Sequence, residues 1–97
     1  MASYVYLITH RDSGKCYVGK TNNPKGRWKS HKKVARRGDP RPLYCALRKY
    51  GFDAFDFEVI EEHSTEQDAY EAEAFFVEYL RGLGAQLYNL NDGVKVA

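Results

Sequence analysis

The chain has 97 residues, 43% hydrophobic and 29% charged, a composition typical of a globular domain rather than of a disordered or fibrous chain. It contains no apolar run near the ~18 residues that a membrane-spanning helix needs. Its two cysteines are too few for a disulfide scaffold, and residues 1–4 lack the basic and apolar stretches of a secretion signal. We therefore expect one domain over residues 1–97, with reduced thiols, a cytoplasmic location and no membrane partner.

The net charge of +2 conceals an uneven distribution of charge along the chain. Residues 20–48 contain ten Lys or Arg and one acid, whereas residues 49–97 contain three basic residues and eleven acids. A basic block of this kind is the electrostatic signature of a protein that binds a polyanion. The other interpretation is that the block pairs with the acidic half of the same chain, and charge alone does not separate the two.

The first two predicted elements are the strands of a β-hairpin. Residues 4–8 are β-branched and aromatic, residues 11–15 have the composition of a turn, and residues 16–19 form a second short strand. A turn this short joins antiparallel strands. Gly19 is predicted to end the second strand, where a missing Cβ permits a close backbone approach.

A helix with two different faces is predicted next. Asn22 and Asn23 followed by Pro24 are typical of a helix start, and the helix should run to about Arg37, with Gly38 as its end. Helical periodicity places five residues on one side of this helix, namely Arg27, Trp28, His31, Val34 and Ala35. The other side is basic and consists of Lys25, Lys29, Lys32, Lys33 and Arg36.

The remaining elements complete a small α/β (α+β) fold. Residues 42–50 are predicted to form a second helix that stops at Gly51, residues 55–60 a third strand, and residues 87–90 a short closing segment after a last long helix. The order β-β-α-α-β-α predicts a small, three-stranded, mainly antiparallel sheet flanked by helices.

The last helix is predicted to carry an acidic residue on its apolar side. Ser64 and Thr65 open the helix, Ser64 with Gln67 fits a capping box, and Gly82 and Gly84 end it. The apolar stripe consists of Ala69, Ala72, Phe76, Leu80 and Leu83, while Glu71 and Glu78 lie on the solvent side.

Glu73 lies within that stripe, so its carboxylate has a desolvation cost unless it is paired or binds a cation. One interpretation is a salt bridge to a basic residue of the first helix. The other is a metal site, for which a single carboxylate suits Mg²⁺ or Mn²⁺, ions that keep most of their waters.

Residues 14–21 match the phosphate-loop pattern G-x-x-x-x-G-K-S/T, with a strand before and a helix after. We reject this interpretation because residues 16–18 prefer an extended strand, whereas a phosphate loop must wrap its ligand with backbone N–H groups. Pro24 also delays the helix, and a nucleotide-binding sheet needs several βαβ units of roughly 30 residues each. We therefore expect no nucleotide cofactor.

Four further polar residues are candidates for chemistry. Arg27 and His31 are four positions apart and project from one helix face, where a guanidinium beside an imidazole suits a phosphate and its proton chemistry. Tyr6 and Tyr17 are predicted to face each other across the hairpin. Taken singly, these residues and Asn89 are equally consistent with core, rim or turn positions.

Taken in order, these residues resemble the motifs of the GIY-YIG nuclease domain. Within that family, the resemblance is greatest to the catalytic domains of phage and intron-encoded homing endonucleases. The motifs are Tyr4-Val5-Tyr6, Tyr17-Val18-Gly19, Arg27, His31, Glu73 within Glu71-Ala72-Glu73-Ala74-Phe75-Phe76, and Asn89 within Tyr88-Asn89-Leu90. The resemblance spans nearly the whole chain. It departs from the family pattern at Tyr4, where the first motif has glycine, and valine replaces isoleucine in both motifs.

The resemblance implies a metal-dependent endonuclease that hydrolyses phosphodiester bonds in DNA. Glu73 would be the sole protein ligand of one divalent ion, Mg²⁺ or Mn²⁺. Arg27 would stabilise charge on the scissile phosphate. Tyr17 would act as general base or orient the attacking water, and Tyr6 would support that water and the phosphate.

The remaining implied roles are less direct. His31 would relay a proton or assist the base, so the choice of base among Tyr17, Tyr6 and His31 is open. Asn89 would shape the site, and Gly19 would give room to the DNA backbone. Contacts to the DNA backbone would come from Gly19, Lys20, Lys25, Lys29, Lys32, Lys33 and Arg36. The expected location is cytoplasmic or nucleoid-associated, the oligomeric state is open, and the alternative function is a non-catalytic nucleic-acid-binding module.

Overall fold

The computed structural model describes residues 2–89, which form a three-stranded antiparallel sheet and three α-helices. The elements in chain order are β1 (Ser3–His10), β2 (Cys16–Thr21), α1 (Pro24–Arg36), α2 (Pro42–Tyr50), a short 3-10 helix (Phe52–Ala54), β3 (Phe55–His63) and α3 (Glu66–Gly82). The predicted order and the small antiparallel sheet are confirmed. No helix within residues 2–89 is long and apolar enough to cross a membrane.

The sheet has the order β2-β1-β3 and is covered by helices on both faces. Because side chains alternate along a strand, β1 sends Tyr6 and Ile8 to one face and Val5 to the other. Tyr6 and Ile8 belong to a core with residues of α1 and α2, whereas Val5 packs with residues of α3. The sheet therefore lies between a layer formed by α1 and α2 and a layer formed by α3.

The register of the β1–β2 hairpin differs from the predicted one. Tyr17 pairs with Ile8 and Tyr6 pairs with Gly19, so the two tyrosines are diagonal neighbours on one face and the prediction that they face each other is wrong. Their ring centroids are 6.4 Å apart. Register depends on turn geometry, here including a left-handed φ of 76° at Gly14, which periodicity alone does not report.

Gly19 lies inside β2, which continues to Thr21, so the prediction that it ends the strand is wrong. It is buried opposite Tyr6. A Cβ at this position would overlap Cζ and Oη of the Tyr6 side chain. The space is filled by the Tyr6 ring, which accounts for glycine here without the DNA contact expected from the sequence.

Replacing Gly19 by alanine is expected to destabilise the fold by about 1–3 kcal/mol, the usual cost of overpacking a filled core. Urea unfolding of the two proteins measures the difference. Gly82→Ala is the matched control, because nothing lies within 4 Å of a Cβ there. In a Tyr6→Ala background the cost of Gly19→Ala should largely disappear, and an undiminished cost would contradict the proposed overlap.

The start and end of α1 and α2 agree closely with prediction. Asn23 caps α1, because its side-chain oxygen accepts a hydrogen bond from the N–H of Gly26 at 3.2 Å. The helix ends at Arg36, and Gly38 follows with a left-handed φ of 91°. The second helix spans Pro42–Tyr50, as predicted.

The two predicted faces of α1 are present. His31 and Ala35 on the inner side are fully buried. Four residues of the basic side are exposed, namely Lys25, Lys29, Lys33 and Arg36. The fifth, Lys32, is half-buried because its ammonium lies 5.1 Å from the centre of the Trp28 ring. The outer face of α1 is therefore an exposed row of cations.

The second half of the chain needs two corrections. The strand β3 continues past Ile60 to His63, because its backbone still pairs with β1, with Ser3 opposite His63. The cap of α3 is Thr65 and not Ser64, since the Thr65 hydroxyl accepts a hydrogen bond from the N–H of Asp68 at 3.1 Å. The end of β3 is set by backbone pairing and the start of α3 by a side-chain cap, and side-chain periodicity reports neither.

The apolar stripe of α3 is rotated relative to the predicted one. Ala69 and Val77 are fully buried, and Val77 was not in the predicted stripe. Ala72, Phe76 and Leu80 pack at the edge of the same core. Leu83 is 66% exposed, so its predicted burial is wrong. The helix ends before it reaches the core at that position, because Leu83 is already the C-cap.

Residues 86–89 extend the sheet beside β2. The N–H of Cys16 donates to the carbonyl of Gln86 at 3.1 Å, and the N–H of Tyr88 donates to the carbonyl of Cys16 at 2.7 Å. Leu87 and Cys16 form a parallel bridge. The predicted closing segment is confirmed as far as Asn89, and Leu90 lies outside the described residues.

Candidate active site

A row of hydrogen bonds links β1, α1 and α2 beneath the surface. Arg27 Nε donates to Tyr6 Oη at 3.3 Å, Tyr6 Oη and His31 Nε2 are 2.7 Å apart, and His31 Nδ1 and Tyr44 Oη are 2.9 Å apart. Because the Tyr6 oxygen accepts from Arg27, we assign its proton to the bond with His31 Nε2. His31 Nδ1 then donates to Tyr44, and the imidazole has both nitrogens bonded.

The imidazole in this row is neutral at physiological pH. Burial, together with the positive charges of Arg27 and Arg41, lowers the pKa of His31 to about 3. Burial and the neighbouring Tyr17 raise the pKa of Tyr6 far above its ordinary value. Both groups therefore remain uncharged, and the Tyr6 hydroxyl, bonded to His31, accepts the hydrogen bond from Arg27 Nε.

Folding stability is expected to fall as the pH drops below about 6.5, because unfolded His31 binds a proton there and buried His31 does not. The folded pKa lies below the unfolded one, so this stability is fully present above the unfolded pKa. About 2 kcal/mol should be lost by about pH 5. Urea unfolding at neutral and mildly acidic pH measures the loss, which His31→Gln should remove. The same pH dependence in both proteins would refute the assignment.

A cavity of about 390 Å³ opens at the edge strand β2, between the α1–α2 layer and α3. It is lined by Tyr17, Arg27, Val34, Arg41, Leu43, Tyr44, Glu73, Val77, Tyr88 and Asn89. Four of the six predicted catalytic residues therefore converge here, from β2, α1, α3 and the closing segment. Tyr6 and His31 do not line the cavity, since both are fully buried behind Arg27.

Glu73 is the acidic residue of this cavity. Burial raises the pKa of its carboxyl group, while the positive charges of Lys20 and Arg27 act in the opposite direction. Within residues 2–89 the Glu73 carboxylate makes no salt bridge and no side-chain hydrogen bond. The predicted alternative, a structural salt bridge to the first helix, is therefore not present in this part of the chain.

Tyr17 presents a phenol to the same cavity. Its ring contacts His31 edge-on, with ring centroids 5.6 Å apart, and no side chain within residues 2–89 hydrogen-bonds its hydroxyl. Burial, Tyr44 and Glu73 raise the pKa of Tyr17, and Arg27 and Arg41 lower it. Of the two hairpin tyrosines, Tyr17 is the one that can contact a molecule in the cavity.

Asn89 lines the cavity and joins the closing segment to β2. Its side-chain oxygen accepts from the N–H of Val18 at 3.0 Å, and its amide nitrogen donates to the carbonyl of Val18 at 2.9 Å. The carboxamide thus pairs with the edge of β2 as a neighbouring strand would. Arg81 Nη2 also donates to the Asn89 carbonyl at 2.9 Å, which ties the closing segment to the last turn of α3.

The profile of the GIY-YIG catalytic domain matches residues 2–89. The chain belongs to the GIY-YIG family. It is a GIY-YIG nuclease catalytic domain. No curated protein sequence matches the chain.

Two solved structures have the same fold over almost all of this chain. A mutant of the catalytic domain of intron endonuclease I-TevI is 28% identical, with a TM-score of 0.80 and complete coverage of both chains. The catalytic domain of homing endonuclease I-TevI is 26% identical, with a TM-score of 0.77 and coverage of 92% of this chain and 98% of that one.

Members of the GIY-YIG family typically use a divalent metal ion. Over residues 2–89 no three His, Cys, Asp or Glu side chains converge to hold one. The donor set at the cavity is instead a single half-buried carboxylate, Glu73, without a cationic partner in that range. This set fits a hard ion such as Mg²⁺, which is often held by one or two carboxylates and retains several waters.

The basic block of this GIY-YIG domain forms few salt bridges within residues 2–89. Across residues 2–89 only Lys20 of the basic block forms a salt bridge with the acidic half, to Glu66 at 3.4 Å. Arg41 pairs with Asp39 inside the block itself. Neutralisation by the acidic half therefore does not explain the block, and its outer α1 face is available to a polyanion.

Two of the polar residues that line the cavity, Tyr44 and Arg41, were not predicted as site residues. Tyr44 lies on the buried side of α2 with Leu43 and Leu47, and that periodicity is visible in the sequence. Arg41 comes just before α2 and has no local sequence signal. Both reach the site only because α2 packs against α1, which is a tertiary contact.

Proposed function

We propose that this GIY-YIG domain is a metal-dependent endonuclease that hydrolyses phosphodiester bonds in DNA, as the catalytic domain of a homing-type endonuclease. Family membership implies a DNA substrate. The observation that carries the proposal is the convergence of Glu73, Arg27 and Tyr17 on one cavity although they lie on three different elements. Hydrolysis of a phosphodiester needs an activated water and neutralisation of charge on the phosphate, and these residue types supply both.

Arg27 stabilises the charge that develops on the scissile phosphate. Burial lowers its pKa, but the bond to Tyr6 and the nearby phenols raise it more, so the net pKa is raised and the guanidinium stays charged. Its Nε–H already donates a hydrogen bond to Tyr6, so its two terminal nitrogens remain to donate to the phosphate oxygens. His31 acts through Tyr6 as a positioning residue, because it is buried and neutral.

Tyr17 orients the attacking water or accepts its proton. Among the three candidates for this role it is the one that lines the cavity, whereas Tyr6 and His31 are already hydrogen-bonded to each other. Its raised pKa makes it a poor base alone, so a nearby positive charge must help to remove its proton. Arg27 supplies part of that charge.

Glu73 would hold one divalent ion, Mg²⁺ or Mn²⁺, in this cavity. When bound, such an ion supplies positive charge next to the phosphate and a more acidic water to protonate the leaving oxygen. Asn89 holds the closing segment against β2 through its two hydrogen bonds to Val18. It thereby fixes the position of Glu73 relative to Tyr17.

The DNA backbone would lie along the outer face of α1. Its cations contact phosphates without reading sequence, and they position the duplex over the cavity. The contacts come from Lys25, Lys29, Lys32, Lys33 and Arg36. Two further contacts predicted from the sequence lie in β2, at Gly19 and Lys20. Of these, Gly19 is buried and Lys20 is paired with Glu66, so the exposed side of α1 provides most of the surface.

Incubation of plasmid DNA with the protein and Mg²⁺ or Mn²⁺ tests the proposal. Wild type should nick or cut the plasmid, and Glu73→Ala should not. If wild type leaves the DNA intact with every divalent ion, or Glu73→Ala cuts equally well, the proposal is wrong. The exposed cations of α1 favour one other candidate, a non-catalytic nucleic-acid-binding module, which would give salt-sensitive binding by both proteins and cleavage by neither.

A further inference from the structure

The cavity contains a second arginine that the proposed chemistry does not use. Arg41 precedes α2 and lines the cavity together with Arg27 from α1 and Glu73 from α3. Its side chain is 56% exposed, whereas Arg27 is half-buried and bonded to Tyr6. The two guanidinium groups therefore differ in depth, with Arg41 at the solvent side.

The Arg41 side chain is held in one orientation. Its Nε and Nη2 donate to the two carboxylate oxygens of Asp39 at 3.0 and 2.9 Å, and its guanidinium lies 5.0 Å from the centre of the Tyr44 ring. Pro40 and Pro42 restrict the backbone on both sides of it. In residues 2–89 its Nη1 has no hydrogen-bond partner.

We propose that Arg41 binds a second backbone phosphate of the DNA strand that enters the cavity, next to the phosphate held by Arg27. This inference rests on the function proposed above. The cavity has a volume of about 390 Å³, whereas one water molecule takes up roughly 30 Å³ in the liquid. A phosphate group is only a few times the size of a water, so the cavity has room for more than one. A guanidinium already neutralised by Asp39 adds little to the stabilisation of developing charge, but its fixed planar fork suits a static phosphate.

Arg41→Gln tests this proposal, with Lys49→Gln as the matched control. Lys49 is an exposed cation of α2, the helix that Arg41 precedes, and it does not line the cavity. DNA affinity is measured in EDTA at several salt concentrations, and the cleavage rate is measured separately at saturating DNA with Mg²⁺. Arg41→Gln should weaken binding roughly three- to tenfold and lower the salt slope by about one, with the rate at saturation nearly unchanged. Arg41→Lys should retain the slope.

Three outcomes decide the question. Wild-type affinity and slope in Arg41→Gln, or a loss of slope equal to that of Lys49→Gln, would overturn the proposal. A rate at saturation that falls more than the affinity would also overturn it, because Arg41 would then act on the scissile phosphate. If wild type does not cut, the proposed function itself has failed, whatever the binding data show.

A measurement without mutation gives a second test. The Nε–H resonance of Arg41 in a ¹⁵N spectrum should shift when a short duplex is added in EDTA, because a phosphate changes the field at the guanidinium. A resonance that stays in place while that of Arg27 moves would overturn the proposal.

Discussion

Glu73→Gln is expected to lower the rate of DNA cleavage by about a thousandfold or more while DNA affinity changes by less than about threefold. Glutamine has nearly the same shape but no charge, so it cannot hold a divalent ion as the carboxylate would. The cations of α1 that attract the backbone are on another element and are not altered. Single-turnover cleavage and binding in EDTA measure the two quantities separately.

The same substitution should increase stability at neutral pH. Burial raises the pKa of Glu73, so folding favours its protonated form. Because the folded pKa lies above the unfolded one, stability falls as the pH rises through the window between them, and the charged form at neutral pH is a cost. Glu73→Gln removes that cost, and urea unfolding should give a higher midpoint.

Glu78→Gln is the matched control, since Glu78 is exposed on the same helix. It should change neither the cleavage rate nor the unfolding midpoint. An active Glu73→Gln protein would remove Glu73 from the catalytic machinery. A Glu73→Gln protein less stable than wild type at neutral pH would mean that the carboxylate has a structural partner.

The position of Glu73 could be predicted from the sequence because burial on a helix follows periodicity. A carboxylate among apolar residues at helical spacing must face the protein, and the structure has it half-buried at the cavity. Arg27 and His31 share a face for the same reason, one being four positions after the other. The order and type of the elements were predictable on the same ground, since each has its own period and its own capping residues.

The division of roles between the tyrosines could not be predicted in this way. Tyr6 and Tyr17 lie on one face in any register that keeps the alternation, but which of the two lines the cavity depends on the pairing of Tyr6 with Gly19. That pairing follows from backbone geometry at the turn. Arg41 and Tyr44 depend on how α2 packs, and a sequence pattern carries little information about contacts between helices.

Arg27→Ala should lower the cleavage rate at saturating DNA about a hundred- to a thousandfold, with a much smaller loss of DNA affinity. The reason is that Arg27 acts on charge that is larger in the transition state than in bound substrate. Arg27→Lys retains the charge but loses the planar fork and the Nε bond to Tyr6, so it should recover only part of the rate.

Arg37→Ala is the control for this prediction, because Arg37 is an exposed cation just after α1 and does not line the cavity. Its loss should leave the rate at saturation unchanged and weaken binding slightly at low salt. Equal losses of rate and affinity in Arg27→Ala would mean that Arg27 anchors the backbone and stabilises no developing charge. In that case Tyr6, which accepts from Arg27 and is bonded to His31, would position a binding residue. Tyr17 and Glu73 would then have to account for the chemistry without Arg27.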